Sequence, residues 1–189
     1  MRYNLVMNFI MVLKFIIETF NREDVKFALI GGFALQAAGI SRTTRDIDLL
    51  VLSESSSKIK DTMLKHGYEL INESEDVLNF RDKEFDLGRI DFLLARRKYT
   101  LDMLNRAGDQ PVLDGRFTVK TVRPDDLIGL KVQSSSNDRG RYYQDMADIR
   151  SILANERGKL DMDHVREYFR MFGREKELEG LLKGVENAE

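Results

Sequence analysis

Three aspartates and two glycines hold the chemistry that can be read from this chain. An apolar run, Phe27-Ala-Leu-Ile, ends on Gly31-Gly32, and after a spacer comes Arg42-Thr43-Thr44-Arg45-Asp46-Ile47-Asp48-Leu49. A third carboxylate stands in Arg89-Ile90-Asp91-Phe92. Residues two apart on a strand project from one face, about 6.5 Å apart along the chain. Asp46 and Asp48 therefore point together while Ile47 and Leu49 face a core. Asp91 points opposite to Ile90 and Phe92. If the two strands are neighbours, three carboxylates converge, and charges that close repel unless a cation neutralises them. Hard oxygen ligands suit Mg²⁺, which keeps waters and takes substrate phosphates to fill its octahedron. Two such ions hold the attacking oxygen and the leaving pyrophosphate of an in-line transfer. Asp46, Asp48 and Asp91 are thus candidate catalytic and metal-binding residues. Asp91, the third carboxylate, is the candidate general base for an incoming hydroxyl.

The glycines suit the other half of that chemistry. Without a Cβ they let a phosphate approach the backbone, and amides opening a helix attract an anion. Arg42, Thr43 and Arg45 precede the aspartate pair and can contact phosphates. Gly31, Gly32, Arg42, Thr43 and Arg45 are therefore nucleotide-binding candidates. Each element alone has a plainer reading. A glycine pair before a helix is commonly a turn. An Asp-x-Asp is commonly solvated or a helix cap, and Asp161-Met162-Asp163 ahead of Val165 reads as a cap. The order and spacing set the five residues apart.

The elements that must position them follow from periodicity and from turn residues. The pattern predicts a helix over 5–21, a strand over 25–30, and a helix over 31–38 closed by Gly39. A strand over 46–52 follows, with Ser53 capping a helix over 54–66 that Gly67 ends. Two strands, 77–80 and 85–94, flank a polar turn at 81–84. A helix over 98–107 and a strand over 117–122 come next. Pro124 opens a helix from its first turn, which proline tolerates. Helices fill the rest, broken near 134–140, 156–159 and 173. Strands before 123 and helices after it imply an α+β fold, a mixed sheet of about five strands with flanking helices and a C-terminal helical region. The expected organisation is a core over 1–123 with the helical region 124–189 packed on it.

The chain has 189 residues, a net charge of -2 and no cysteine. That balance gives no global pull towards nucleic acid, so a polyanion contact needs a local basic patch. Disulfides and thiol chemistry are excluded. Two histidines, His66 and His164, make no multi-histidine metal site and read as surface residues. The apolar stretch 5–20 is interrupted and too short to span a bilayer, which takes about 20 apolar residues. It reads as a buried first helix whose remaining face offers a homo-oligomer contact, in a cytoplasmic protein without a membrane partner.

At these residues the chain resembles the nucleotidyltransferases of the DNA polymerase β superfamily. It is more closely similar to the AbiEii-type toxins and their relatives. Gly31-Gly-Phe-Ala-Leu35 and Thr43-Thr-Arg45-Asp46-Ile-Asp48-Leu match the first signature. Pro124-Asp-Asp-Leu-Ile-Gly-Leu-Lys131 and Arg141-Tyr-Tyr-Gln144-Asp145-Met-Ala-Asp148-Ile match a C-terminal one. The likeness covers residues 27–153. It implies a Mg²⁺-dependent nucleotidyltransferase moving an NMP from an NTP to an RNA (tRNA) or protein acceptor, of toxin–antitoxin or abortive-infection type, with a cognate antitoxin or toxin as partner. It implies Lys131 at the triphosphate. Lys131→Met is then expected to weaken NTP use with little change in melting temperature. It implies that Asp145 and Asp148, with Arg141, act indirectly by organising the helix; the alternative is an exposed helix face pairing with Arg141 and Arg150. Gln144 stands where the family has lysine, so a phosphate contact is lost or passes to Arg139 or Arg141. Two other functions fit parts of the pattern. One is a small-molecule nucleotidyltransferase of the antibiotic-modifying kind. The other is a catalytically weak nucleotide-binding module, favoured by Gln144 and opposed by three intact carboxylates.

Overall fold

The computed structural model describes residues 2–82 and 89–187. Residues 83–88, where the polar turn ends and the 85–94 strand is expected to begin, lie outside them. The chain divides into two compact units, one of residues 1–33 with 42–122, the other of residues 34–41 with 123–189.

The first unit is a mixed sheet. Its strands are β1 (Phe27–Leu29), β2 (Ile47–Leu52), β3 (Tyr68–Glu73), β4 (Val77–Asp82), β5 (Arg89–Ala95), β6 (Gly108–Val112) and β7 (Phe117–Thr121). Among the described residues they form one seven-stranded sheet in the order β3-β4-β5-β2-β1-β7-β6. β2 pairs parallel with β5 and antiparallel with β1. Leu49, Leu50 and Val51 in succession are fully buried, so both faces of β2 are covered, as a continuous apolar run requires. Helix α1 (Arg2–Arg22) adds Leu13, Ile16 and Phe20 to this core. The Phe20 ring lies 5.8 Å from Phe92 and 5.6 Å from Phe27. Helix α2 (Gly31–Ala37) begins in this unit, which also holds α3 (Ser56–Lys65) and α4 (Lys98–Arg106).

Two strands exceed the sequence expectation, and both are sheet edges. β3 is largely polar after Leu70, so it shows no clear alternation. β6 contains Pro111, which an edge strand tolerates because one side needs no ladder donor. Ser53 is not the cap of α3. Residues Ser53–Ser55 form a 3₁₀ turn, and α3 starts at Ser56 without a side-chain cap bond. β2 leaves the sheet at Leu52 and tightens at once, which a run of serines allows.

The second unit is helical. It contains α5 (Pro124–Asn137), α6 (Tyr142–Asn155), α7 (Met162–Met171) and α8 (Glu175–Glu186). The break expected near 134–140 falls at the far end of that range, at a short turn over Arg139–Arg141. Ser135 and Ser136 stay helical because their hydroxyls donate back to the carbonyls of Lys131 and Val132, at 2.8 and 2.7 Å, satisfying groups that would otherwise favour a turn. Gly129 lets α7 close on α5, since a Cβ there would meet the Tyr168 ring at 2.7 Å. Tyr168 donates to the buried Asp126 at 2.7 Å. Asp161 caps α7 as expected, accepting from the His164 amide at 3.2 Å. Arg174 ties three helices: it donates to the Val132 carbonyl at 3.1 Å and to Glu177 at 2.7 Å, and lies 5.3 Å over the Tyr142 ring. Among the described residues no helix is long and apolar enough to cross a membrane.

Candidate active site

The parallel pairing of β2 with β5 sets Asp48 directly beside Asp91 in register, and it sets Ile47 beside Ile90 and Leu49 beside Phe92. The apolar partners are buried and the two aspartates are partly open, with the Asp91 side chain 22% exposed. Neighbouring strands run about 4.8 Å apart, so the register alone brings two carboxylates together on one face. Asp46 lies in the bend just before β2 rather than in the strand. Its Oδ1 accepts from the Arg89 amide at 2.8 Å, which anchors it to the start of β5.

The same row continues across the sheet. Asn79 on β4 is the register partner of Asp91, and Asn72 on β3 that of Asn79. The Asn72 amide donates to Asn79 Oδ1 at 2.8 Å, and Asn79 donates to Asp91 Oδ1 at 2.7 Å. The Arg89 guanidinium lies 3.8 Å from Asp91 Oδ2. Asp91 is therefore held from one side by an amide relay and from the other by a cation. An asparagine inside a strand is disfavoured unless something uses it. That is the one sequence signal for Asn79, and it points nowhere until β3 and β5 flank the residue.

Gly31 opens α2 in the left-handed region, with φ +61. A Cβ on Gly31 would fall on the Asp48 carboxylate, and one on Gly32 would stand 2.5 Å from Thr44 Cβ. Thr44 donates to the Asp46 carbonyl at 2.9 Å. The glycine pair thus does more than leave room: it lets the strand carrying Asp48 and the turn carrying Asp46 close against the backbone. Arg42, Thr43 and Arg45 lie in the irregular segment ahead of β2; Thr43 and Arg45 are exposed and Arg42 is partly buried.

The C-terminal signature lies in the helical unit. Lys131 is 8% exposed, and its Nζ stands 3.0 Å from Asp145 Oδ1 and 2.7 Å from Asp148 Oδ2. Asp145 and Asp148 are 0% and 5% exposed, which overturns the exposed-face alternative. α6 turns them inward to meet the buried lysine. Arg141 approaches Asp145 at 3.5 Å, and Gln144 donates to Asp148 at 3.2 Å. Of the histidines, His66 is exposed, whereas His164 is half-buried with Nδ1 2.8 Å from Asp161. Asp125, Asp161 and His164 bring ligand-type atoms within 4.8 Å of one another.

Asp48 and Asp91 present carboxylate oxygens side by side in register, against a backbone where a Cβ would collide with Asp48, and carboxylate oxygens are the ligand type that a hard divalent cation takes. Asp46 stands outside that pair, and the three do not form a cluster as tight as Asp125, Asp161 and His164.

Residues 18–188 match the family described as nucleotidyl transferase AbiEii toxin, type IV TA system. The chain belongs to the AbiEii family. It is a nucleotidyltransferase. No curated protein matches its sequence. Among solved structures, the antibiotic-resistance factor ANT(2'')-Ia in solution is similar over 97% of this chain and 99% of its own, with TM-score 0.65 and 13% identity. Its crystal structure in complex with adenylyl-2''-tobramycin covers 86% of this chain and 95% of its own, with TM-score 0.61 and 15% identity. An antigenic nucleotidyltransferase-like protein from Paracoccidioides brasiliensis covers 92% and 91%, with TM-score 0.52 and 14% identity. At such identities the likeness is one of fold. The AbiEii match takes in both signatures, with Gln144 in the second.

Proposed function

We propose that this AbiEii chain moves an NMP from an NTP to an RNA or protein acceptor, with Mg²⁺ held by Asp46, Asp48 and Asp91, and that it does so as the toxin beside a cognate antitoxin. The observation that carries the reading is the register pair Asp48–Asp91, closed against Gly31. Mg²⁺ bound there would neutralise the three carboxylates and orient the triphosphate. Gly31-Gly32 would admit the phosphates close to the backbone, with Arg42, Thr43 and Arg45 pairing with their charge.

In the transfer, the acceptor hydroxyl oxygen forms a bond to the α-phosphorus. The bond from the α-phosphorus to the oxygen bridging to the β-phosphate breaks, and pyrophosphate leaves with the electron pair. Asp91 takes the hydroxyl proton. The Asn79 amide donates to Oδ1 and so keeps that oxygen an acceptor, while Oδ2 faces Arg89. Lys131 we assign to joining α5 and α6 through Asp145 and Asp148. A triphosphate contact would require it to give up two buried partners at 3.0 and 2.7 Å.

The test is incubation of pure protein with each labelled NTP, Mg²⁺, and either total RNA or lysate protein. Label should appear in one macromolecular fraction and for a preferred nucleotide. Absence of label from both fractions with all four NTPs contradicts the reading.

A further inference from the structure

The chain as a whole carries 30 basic and 32 acidic residues. The segment 136–159 departs from that balance on its surface. Its exposed residues include Arg139, Arg141, Arg150, Arg157 and Lys159 against one exposed acid, Asp138. Asp138 is engaged, accepting from the Gly140 amide at 2.8 Å. The two carboxylates inside α6, Asp145 and Asp148, are turned inward. The exposed faces of α7 and α8 differ, mixing signs as Asp163, Arg166, Glu167 and Arg170, and as Glu175, Lys176, Glu179 and Lys183.

An aromatic ring stands in the middle of this strip. Tyr143 is 85% exposed, the most open of the large hydrophobic side chains among the described residues. Tyr143, Ala147 and Arg150 fall at i, i+4 and i+7 and share one face of α6. Tyr143 is braced from behind: its ring meets Tyr142 edge-on at 5.5 Å, and Tyr142 donates to Glu177 at 3.0 Å. A solvent-facing ring on α6, with Arg139 and Arg141 in the turn that precedes the helix and Arg150 two turns on, where it donates to the Gly184 carbonyl at 3.1 Å, is chemistry suited to single-stranded nucleic acid. Bases stack on the ring, and arginines follow the phosphates.

We propose that Tyr143 on α6 as stacking platform, with Arg139 and Arg141 of the preceding turn and Arg150 of α6 as phosphate contacts, docks the single-stranded part of an acceptor RNA. The proposal deepens the transfer reading by naming the acceptor class, and it rests on that reading for its purpose.

The test separates docking from catalysis. Anisotropy of a labelled oligo(U) RNA is titrated, without NTP, with an Asp46→Asn/Asp48→Asn protein, so that binding is read whether or not transfer occurs. Tyr143→Ala should weaken binding about fivefold or more, and Tyr143→Phe, which keeps the ring, should restore it. Arg139→Gln should lower the slope of log K against log salt by about 0.7, the loss of one phosphate contact to a single strand. Lys176→Gln on α8 should leave both quantities unchanged. Melting temperatures should hold throughout, because these side chains are exposed. Unchanged RNA affinity and salt slope in the Tyr143 and Arg139 variants overturns the proposal. Binding of poly-glutamate in place of RNA does so too, by making the strip a protein-docking face. Transfer that fails while RNA docking depends on Tyr143 counts against the catalytic reading alone.

Discussion

The Asp48 carboxylate occupies the space that a side chain on Gly31 would need, with Asp48 Cγ 2.6 Å from where a Cβ would stand. Gly31 is also left-handed, at φ +61. Gly31→Ala therefore carries two penalties, backbone strain of about 1–2 kcal/mol and displacement of Asp48. Gly115 shares the strain, at φ +77, with nothing within 4 Å of a Cβ. Gly115→Ala should lose only the strain term and keep nucleotide transfer. Gly31→Ala should lose more stability and also lose transfer. Equal melting temperatures and equal activity in the two variants would show that Gly31 does not shape the site.

Lys131 offers a sharper reversal of the sequence expectation. On the sequence, Lys131→Met should leave the melting temperature nearly unchanged. With Asp145 and Asp148 buried against its ammonium, the same change strands two carboxylates in the interior. Breaking a buried pair costs about 3–5 kcal/mol. Denaturant unfolding should show a loss of that order, and adding Asp145→Asn and Asp148→Asn should recover much of it. A stable Lys131→Met protein with impaired NTP kinetics would return the lysine to the triphosphate.

The amide relay to Asp91 gives a third expectation. Asn79→Ala removes a 2.7 Å hydrogen bond to a carboxylate, a contact worth about 1.5–3 kcal/mol. Initial rates should show kcat falling about ten- to a hundredfold with little change in KM for NTP. Asn72→Ala, one step further out, should do the same more weakly. A rise in KM with unaltered kcat would place Asn79 in nucleotide binding instead.

The helical unit has a pH-sensitive joint. Hydrogen bonding from Arg174, opposed in part by burial and helped by Tyr142, holds the Glu177 carboxyl below the usual glutamate value of 4.5. A depressed acid stabilises the folded state above its unfolded pKa, and that contribution fades as pH falls through the folded value. Wild-type protein should melt above Glu177→Gln at pH 7, and the gap should close as pH drops below about 4.5. A gap that stays constant between pH 7 and pH 3 would contradict the assignment.

What is legible in the sequence follows from period and from residue chemistry. Alternation around Asp48 and Asp91 places those two carboxylates on one face, and the β2–β5 pairing sets them side by side, whereas Asp46 falls in the bend ahead of β2, where alternation does not reach. Pro124 and Asp161 mark their helix starts because cap and first-turn chemistry is local. The edge strands β3 and β6 escape the pattern because an edge need not alternate or keep every donor. Asn79 escapes it because its role exists only once β4 lies beside β5. The burial of Lys131 against Asp145 and Asp148 is not legible, because a helical stripe shows which side is buried but not which charges from α6 share that side. The glycine pair reads as space for phosphate. Its contacts with Asp48 and Thr44 depend on a strand and a turn more than ten residues away.

In the proposed mechanism Asp46 and Asp48 hold the ion on which transfer depends. The direct measurement is incorporation of labelled NMP into macromolecular product by wild-type and Asp46→Asn/Asp48→Asn protein, at matched concentration and with Mg²⁺ present. Wild-type protein should label its acceptor. The double variant should fall to background while its circular dichroism spectrum stays that of the wild type. Equal labelling by the two proteins would contradict the account.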